Sequence, residues 1–228
     1  MTYCLAACVD AGLVFVSDSR TNAGIDQLGV HSKMHSFTDL DGRFFTLLSA
    51  GNLATTQAVV AQLKRDIREG AEVSLATVDR MRDAADYIGV INRKMVEKYG
   101  NDDDEEGFNP SADFIFGGQI GDGQHALFQI YAQGNYISPT SLVPFLQIGE
   151  QKYGRPILDR IIQVRSSLET VALCGLVSMD STMRSNASVG PPIEVMIYRA
   201  SSSAPPVHII YGEDHPYLRT IRESWAVN

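Results

Sequence analysis

Residues 2–20 read TYCLAACVDAGLVFVSDSR, two apolar runs that are separated only by the Asp-Ala-Gly segment at 10–12. In both runs apolar residues fill successive positions rather than every second one, a pattern typical of strands that are covered on both faces. A short connection that ends in glycine fits a hairpin turn followed by a left-handed residue. The stretch therefore predicts an antiparallel pair of buried strands.

The register of this hairpin decides which side chains meet. A three-residue connection would pair Val9 with Leu13. Counting back from that pair sets Thr2 opposite Arg20, and because side chains alternate along a strand, Thr2 and Asp18 would share one face as diagonal neighbours about 7 to 8 Å apart. A two-residue connection would shift the pairing by one and send Asp18 to the opposite face.

Helical spacing follows the first strands and returns later in the chain. Apolar residues recur at intervals of three and four from Asn52 to Gly70, and again from near Thr77 to the YGN segment at 99–101. Asn52 and Gly70 are also suited to cap the first of these helices. Two more helices are predicted within 150–163 and 167–183. Further strands are predicted at 43–51, 112–120, 125–133, 144–149, 192–199 and 207–213.

The order of these elements predicts the fold class. Strands, two helices, strands, two helices and strands follow one another, and segregated runs of this kind favour an α+β fold with antiparallel sheets. Strands that are apolar on both faces are most simply covered by stacking two sheets and laying a helix pair over each outer face, which gives a four-layer αββα sandwich. No linker divides the 228 residues, so a single domain over 1–228 is expected.

The composition argues against several classes of protein. A formal charge of −8 without a basic stripe disfavours nucleic acid as a partner, and no apolar run is long enough to cross a bilayer. The start of the chain lacks the features of a secretory signal, and the odd set of Cys4, Cys8 and Cys174 without a CxxC pair indicates free thiols. Both observations predict a cytoplasmic protein.

Metal and cofactor sites are not expected. The five histidines are scattered and form no ligand pattern, although His31 and His35 could share a strand face. The acidic run NDDDEEGFNP at 101–110 lacks the alternating ligands of a calcium loop, so a solvated loop is favoured.

Thr2 is a candidate nucleophile if its own α-amine becomes free. A threonine hydroxyl is a weak nucleophile until a base removes its proton, and an amine on the same residue is a base that is already in place. The usual pKa of such an amine, about 7.7 to 8.0, is lowered further by a neighbouring cation, for which Lys33 is the candidate. The alternative is that a small second residue merely permits removal of Met1.

Four features resemble proteasome β-subunits: Thr2, SDSRTNAG at 17–24, Lys33, and LLSAGN at 47–52. The chain is more similar still to the bacterial proteasome-related family called Anbu, through these features and the segments FLQIGEQKYG at 145–154 and SNASVGPP at 185–192. This resemblance covers nearly the whole chain and implies the four-layer fold of N-terminal-nucleophile (Ntn) hydrolases.

The resemblance also implies roles for particular residues. Thr2 would attack a carbonyl after loss of Met1, Lys33 would lower pKa values electrostatically, and Asp18 would hold Lys33. The N–H of Gly51 at a helix start would stabilise the oxyanion. Without the resemblance, Asp18 and Lys33 would be an ion pair at a strand edge, and Gly51 a turn before a helix cap.

The auxiliary positions depart from the proteasome pattern, which has serines and an aspartate there. Glu150, Asn186 and Ser188 occupy them in this chain. Glu150 would contact the α-amine or, equally, cap the following helix. Arg20 is assigned to structure. The substrate pocket of the family corresponds to positions of mixed chemistry: Thr21, His31, His35, Ser49 and Leu53.

The expected function is therefore that of a threonine-type peptidase or amidase that acts on peptides or amides. The resemblance implies a homo-oligomer in stacked rings or an open spiral, and it leaves open whether an ATP-driven partner delivers substrates. Two alternatives remain at this point: a silent scaffold or binding subunit with the same fold, and a small-molecule amidohydrolase.

Overall fold

The structure, a computed structural model, describes residues 1–22, 28–100, 109–200 and 204–227. Most of the acidic run predicted to be a solvated loop, residues 101–108, lies outside the described residues. Internal contacts divide the chain into two compact units, Met1–Met34 with Pro139–Asn228 and His35–Ser138. The single domain expected from the sequence stays a prediction.

The first unit is built on a five-stranded antiparallel sheet in the order β10-β1-β2-β11-β12, with a separate hairpin β3-β4. Its strands are β1 Tyr3–Val9, β2 Gly12–Ser17, β3 Arg20–Asn22, β4 Leu28–Val30, β10 Phe145–Gly149, β11 Ile193–Arg199 and β12 Val207–Tyr211. Its helices are α3 Arg155–Ile161, α4 Leu168–Ser185 and α5 Pro216–Val227. Alternate residues of β1, β2 and β11 form a core with these helices.

The hairpin between β1 and β2 differs from the expected one. Val9 pairs with Gly12, so the connection has two residues, and the predicted three-residue connection and its register are wrong. Gly12 takes a φ of 141°, and a Cβ placed there would lie 2.0 Å from the carbonyl oxygen of Tyr198 on β11. Gly12 is therefore a paired strand residue whose missing side chain lets β11 come close.

The second unit contains a five-stranded antiparallel sheet in the order β5-β6-β7-β8-β9. Its elements are β5 Met34–Leu40, β6 Arg43–Gly51, α1 Leu53–Glu69, α2 Met81–Tyr99, β7 Ala112–Ile120, β8 Ala126–Ile130 and β9 Tyr136–Ile137. The predicted caps of α1 are confirmed, because the Asn52 side chain accepts from Thr55 N–H and Gly70 ends the helix in the left-handed conformation.

Several element boundaries differ from the sequence prediction. Helix α2 begins at Met81 rather than near Thr77, because Ser74 and Thr77 close a separate turn through their hydroxyl groups. The C-terminal helix α5 is absent from the prediction; among its residues whose burial is described, Leu218 and Ile221 are buried. None of the described helices is both long and apolar enough to cross a membrane.

Candidate active site

An ion pair between Asp18 and Lys33 forms the centre of the candidate site in the first unit. Lys33 Nζ lies 2.7 Å from Asp18 Oδ1, and the two side chains are 9% and 0% exposed. Lys33 Nζ also donates to the backbone carbonyl of Arg20 at 2.7 Å. Two acceptors thus hold one ammonium group in a place that water barely reaches.

Asp18 links this pair to the start of β1. Its Oδ1 also accepts from Tyr3 N–H at 3.0 Å, and its Oδ2 accepts from Gly190 N–H at 3.2 Å. Burial raises the pKa of the Asp18 carboxyl, while Lys33 and the two N–H groups act in the opposite direction. The carboxylate therefore fixes Lys33 beside the backbone of the residue that follows Thr2.

The position of Asp18 corrects the register reasoning from the sequence. A two-residue connection was expected to send Asp18 away from the site. Strand β2 ends at Ser17, and Asp18 still lies opposite Tyr3, because its N–H donates to Tyr3 O at 3.2 Å. Its carboxylate nevertheless turns back onto the Tyr3 N–H at 3.0 Å. The register of the hairpin therefore does not by itself decide which backbone group the carboxylate reaches.

The carbonyl of Thr2 is held by the end of β10. Glu150 N–H donates to Thr2 O at 2.7 Å. Gly149 has a φ of 81°, and a Cβ at this position would lie 2.0 Å from the same oxygen. The missing side chain of Gly149 therefore allows the backbone contact that fixes Thr2.

We expect Gly149→Ala to lower the free energy of unfolding by about 1 to 3 kcal/mol, because alanine disfavours this φ and its methyl group would displace Thr2. Urea unfolding would measure the change. Gly121→Ala is a suitable control, since its φ of 53° is also positive but no atom lies within 4 Å of the added Cβ. Equal losses in the two variants would show that the contact with Thr2 has no effect.

Glu150, Asn186 and Ser188 form a connected chain of hydrogen bonds. Asn186 Nδ2 donates to Glu150 Oε2 at 3.1 Å, and Ser188 N–H donates to Asn186 Oδ1 at 3.0 Å. The alternative of a helix cap by Glu150 is wrong, because α3 begins after Gly154 and has no side-chain cap. The Glu150 carboxylate instead accepts from Lys152 N–H at 3.1 Å.

The N-terminal amine lies in the field of the same ion pair. Partial burial and the positive charge of Lys33 lower the pKa of the Met1 amine below its usual 8.0, while Asp18 opposes them. The Met1 amine is therefore neutral at a lower pH than an ordinary terminal amine.

The other predicted site residues are distributed over both units. Thr21 on β3 and the exposed His31 belong to the first unit, whereas His35, Ser49, Gly51 and Leu53 belong to the second. Gly51 ends β6 with a φ of 107°, just before α1 begins. The oxyanion role of Gly51 and the pocket role of the other five residues stay predictions.

Sequence reasoning missed two contributors to the site. Gly190 donates to Asp18, and its carbonyl accepts from the N–H groups of Ser19 and Arg20, both at 3.2 Å. Tyr3 anchors the start of β1 through its hydroxyl, which lies 2.6 Å from Ser178 Oγ and 2.7 Å from Gln147 Nε2. Gly190 lies within the SNASVGPP segment, the only signal that pointed to it.

Arg20 has the structural role that was predicted for it. Its guanidinium donates to the carbonyl of Ala187 at 2.9 Å and occupies the space where a Cβ on Gly190 would lie.

Among the described residues no group of three His, Cys, Asp or Glu side chains is arranged to hold a metal ion.

Three solved structures that resemble this chain are of Anbu proteins. The structure of the helical assembly of the Anbu complex from Pseudomonas aeruginosa has a TM-score of 0.93 at 42% identity, over 99% of this chain and 93% of that chain. Anbu (ancestral β-subunit) from Yersinia bercovieri has a TM-score of 0.89 at 41% sequence identity. Anbu from Hyphomicrobium sp. strain MC1 has a TM-score of 0.87 at 39% identity, and both matches cover 99% of this chain and 94% of the other.

No protein-family model and no curated protein sequence matches the chain. The similarity to the solved structures confirms the resemblance found in the sequence and the predicted α+β fold class of proteasome-like proteins. Identity near 40% over almost the full length is sufficient to assign a family. The chain is a member of the Anbu, or ancestral β-subunit, family.

Proposed function

We propose that this protein is a threonine-type hydrolase of peptides or amides, in which Thr2 is the nucleophile once Met1 has been removed. One observation carries the proposal: the buried pair of Asp18 and Lys33, with Asp18 Oδ1 bonded both to Lys33 Nζ at 2.7 Å and to the N–H of the residue after Thr2 at 3.0 Å. A buried ion pair is expensive to maintain, and this one adjoins the proposed nucleophile.

The reaction would proceed through an acyl ester. The free Thr2 amine takes the hydroxyl proton, Oγ attacks the substrate carbonyl, and the amine leaving group departs with that proton. Water then hydrolyses the ester and regenerates Thr2. Lys33 lowers the pKa of the amine, and the N–H of Gly51 would stabilise the oxyanion by about 3 to 4 kcal/mol.

The geometry of the auxiliary residues is suited to positioning. Glu150 holds the Thr2 carbonyl through its backbone, and Asn186 and Ser188 fix the Glu150 carboxylate. In this role the Glu150 carboxylate would accept a hydrogen bond from the ammonium form of the Thr2 amine. The pocket residues Thr21, His31, His35, Ser49 and Leu53 would line the substrate site.

Intact-mass measurement tests the proposal directly. Protein purified from its own host should lack Met1 and should gain one adduct per chain with a threonine-directed electrophile. Retention of Met1 without an adduct would instead favour the silent scaffold. Hydrolysis of simple acyl amides without any gain from extended peptides would favour a small-molecule amidohydrolase.

The pH profile provides a further prediction. The Thr2 amine accepts a proton only when it is neutral. Burial together with Lys33 lowers the pKa of the Met1 amine, and Lys33 would act in the same direction on the amine of Thr2 once Met1 is removed. We therefore expect kcat/KM to rise with pH, with a midpoint below 8.0, the usual value for this group. Steady-state rates on a fluorogenic peptide would measure it, and a midpoint at or above 8.0 would contradict the proposed base.

Assembly and location belong to the same proposal. The Anbu relative from Pseudomonas aeruginosa is described as a helical assembly, which supports a homo-oligomer that encloses its sites. Light scattering on the purified protein would test this. Cys4, Cys8 and Cys174 form no disulfide with one another, which supports a reducing, cytoplasmic location.

A further inference from the structure

A buried carboxylate on β11 has no part in the proposed chemistry. Glu194 lies on an interior strand, between Ser17 of β2 and Ile210 of β12, and is 4% exposed. A carboxylate in such a position destabilises the fold unless it is paired and hydrogen-bonded. Its presence in the middle of a sheet therefore calls for a physical reason.

Glu194 has two side-chain partners. Its Oε2 lies 3.0 Å from Nε2 of the half-exposed His208 on β12. Its Oε1 accepts from Ser19 Oγ at 3.3 Å, and Ser19 is itself buried. The imidazole thus contacts one end of the carboxylate, while the other end contacts the turn that follows β2.

Ser19 is the middle residue of that turn, and its neighbours Asp18 and Arg20 supply two acceptors of Lys33. Asp18 Oδ1 and the carbonyl of Arg20 each lie 2.7 Å from Lys33 Nζ. The backbone of Ser19 is already tied, since its N–H donates to Gly190 O and its carbonyl accepts from His31 N–H. The hydrogen bond from the Ser19 hydroxyl to Glu194 holds the side chain as well.

We propose that Glu194 is a positioning residue for Lys33, acting through Ser19 on the spacing of the two acceptors. This inference rests on the proposed function. Glu194 touches neither Thr2 nor the amine in any contact described above, so its removal should lower kcat and leave KM unchanged. A misplaced catalytic group reduces the rate on the order of ten- to a hundredfold.

The test compares Glu194→Leu with Glu194→Gln. Leucine is apolar and fits a buried site, so the variant is expected to fold, whereas glutamine keeps an oxygen that accepts from Ser19. With active sites titrated by a threonine-directed electrophile, we expect kcat to fall about tenfold or more in Glu194→Leu and to stay within about threefold in Glu194→Gln. Glu169→Gln, which changes an exposed glutamate paired with Arg199, is the matched control and should leave kcat unchanged.

Ser19→Ala shows whether Glu194 acts through Ser19. The double variant Ser19→Ala with Glu194→Leu should have a kcat no lower than that of the slower of the two single variants. Each substitution removes the same hydrogen bond, so the second has nothing more to remove. Multiplicative losses, or full kcat in Glu194→Leu, would overturn the inference.

Amide hydrogen exchange followed by mass spectrometry separates this inference from the proposed function. Peptides that contain residues 18–20 and 31–33 should exchange about tenfold faster in Glu194→Leu than in wild-type protein or Glu194→Gln. Unchanged amide exchange in Glu194→Leu would contradict the positioning role. Failure of the wild-type protein to hydrolyse peptides or amides would contradict the proposed function, whatever the exchange shows.

Discussion

Thr2→Ala is expected to abolish hydrolysis and to leave the fold intact. Loss of a nucleophile reduces the rate by up to about 10⁶-fold in hydrolases that use one, because no other group supplies the attacking oxygen. The contact that holds residue 2 uses its backbone carbonyl, which accepts from Glu150 N–H, and alanine keeps this bond. Cleavage of a fluorogenic peptide and thermal melting measure the two expectations.

Thr2→Ser is the matched control for this variant. Serine keeps the hydroxyl, so hydrolysis and the electrophile adduct should both persist at a measurable level. Alanine and serine are both small, which leaves removal of Met1 equally possible in the two variants. Activity of Thr2→Ala equal to that of wild-type protein would show that another residue performs the attack.

Lys33→Met is expected to damage both activity and stability. Removing the ammonium leaves the fully buried Asp18 carboxylate with backbone N–H groups alone, and breaking a buried ion pair in this way typically costs about 3 to 5 kcal/mol. The rate should fall at least about a thousandfold, because Lys33 sets the proton affinity of the amine. Urea unfolding and peptide hydrolysis measure these losses.

A double variant separates the two effects of Lys33. Lys33→Met combined with Asp18→Asn removes both charges, so most of the lost stability should return. Hydrolysis should not return, since the ammonium is still missing. Recovery of activity in the double variant would mean that Lys33 serves only to neutralise Asp18, and the proposed mechanism would be wrong.

Much of the fold follows from local sequence patterns. The spacing of three and four in α1, with Asn52 before it and Gly70 after it, depends only on the geometry of one helix. The two-sided apolar runs of β1 and β2 similarly require only that both faces be buried. Element type was therefore predictable, while α5 was not predicted even though Leu218, Ile221 and Trp225 have helical spacing.

The site was predictable in its residue types and not in its geometry. Register counting set Asp18 beside Thr2 and named Lys33 as the candidate cation, and the resemblance gave these residues their catalytic roles. The register expected for the first hairpin was wrong, yet Asp18 reaches the site because its carboxylate turns back onto the Tyr3 N–H. Periodicity along the sequence does not predict where a single side chain at the end of a strand will turn.

Short-range periodicity and residue identity are enough to predict the α+β class, most helices and strands, and the family resemblance. They do not predict that Gly190, 172 positions away, donates to Asp18, or that the Glu150 backbone holds Thr2. Only the folded chain brings these groups together, since a hydrogen bond depends on distance in space and leaves no periodic trace along the sequence.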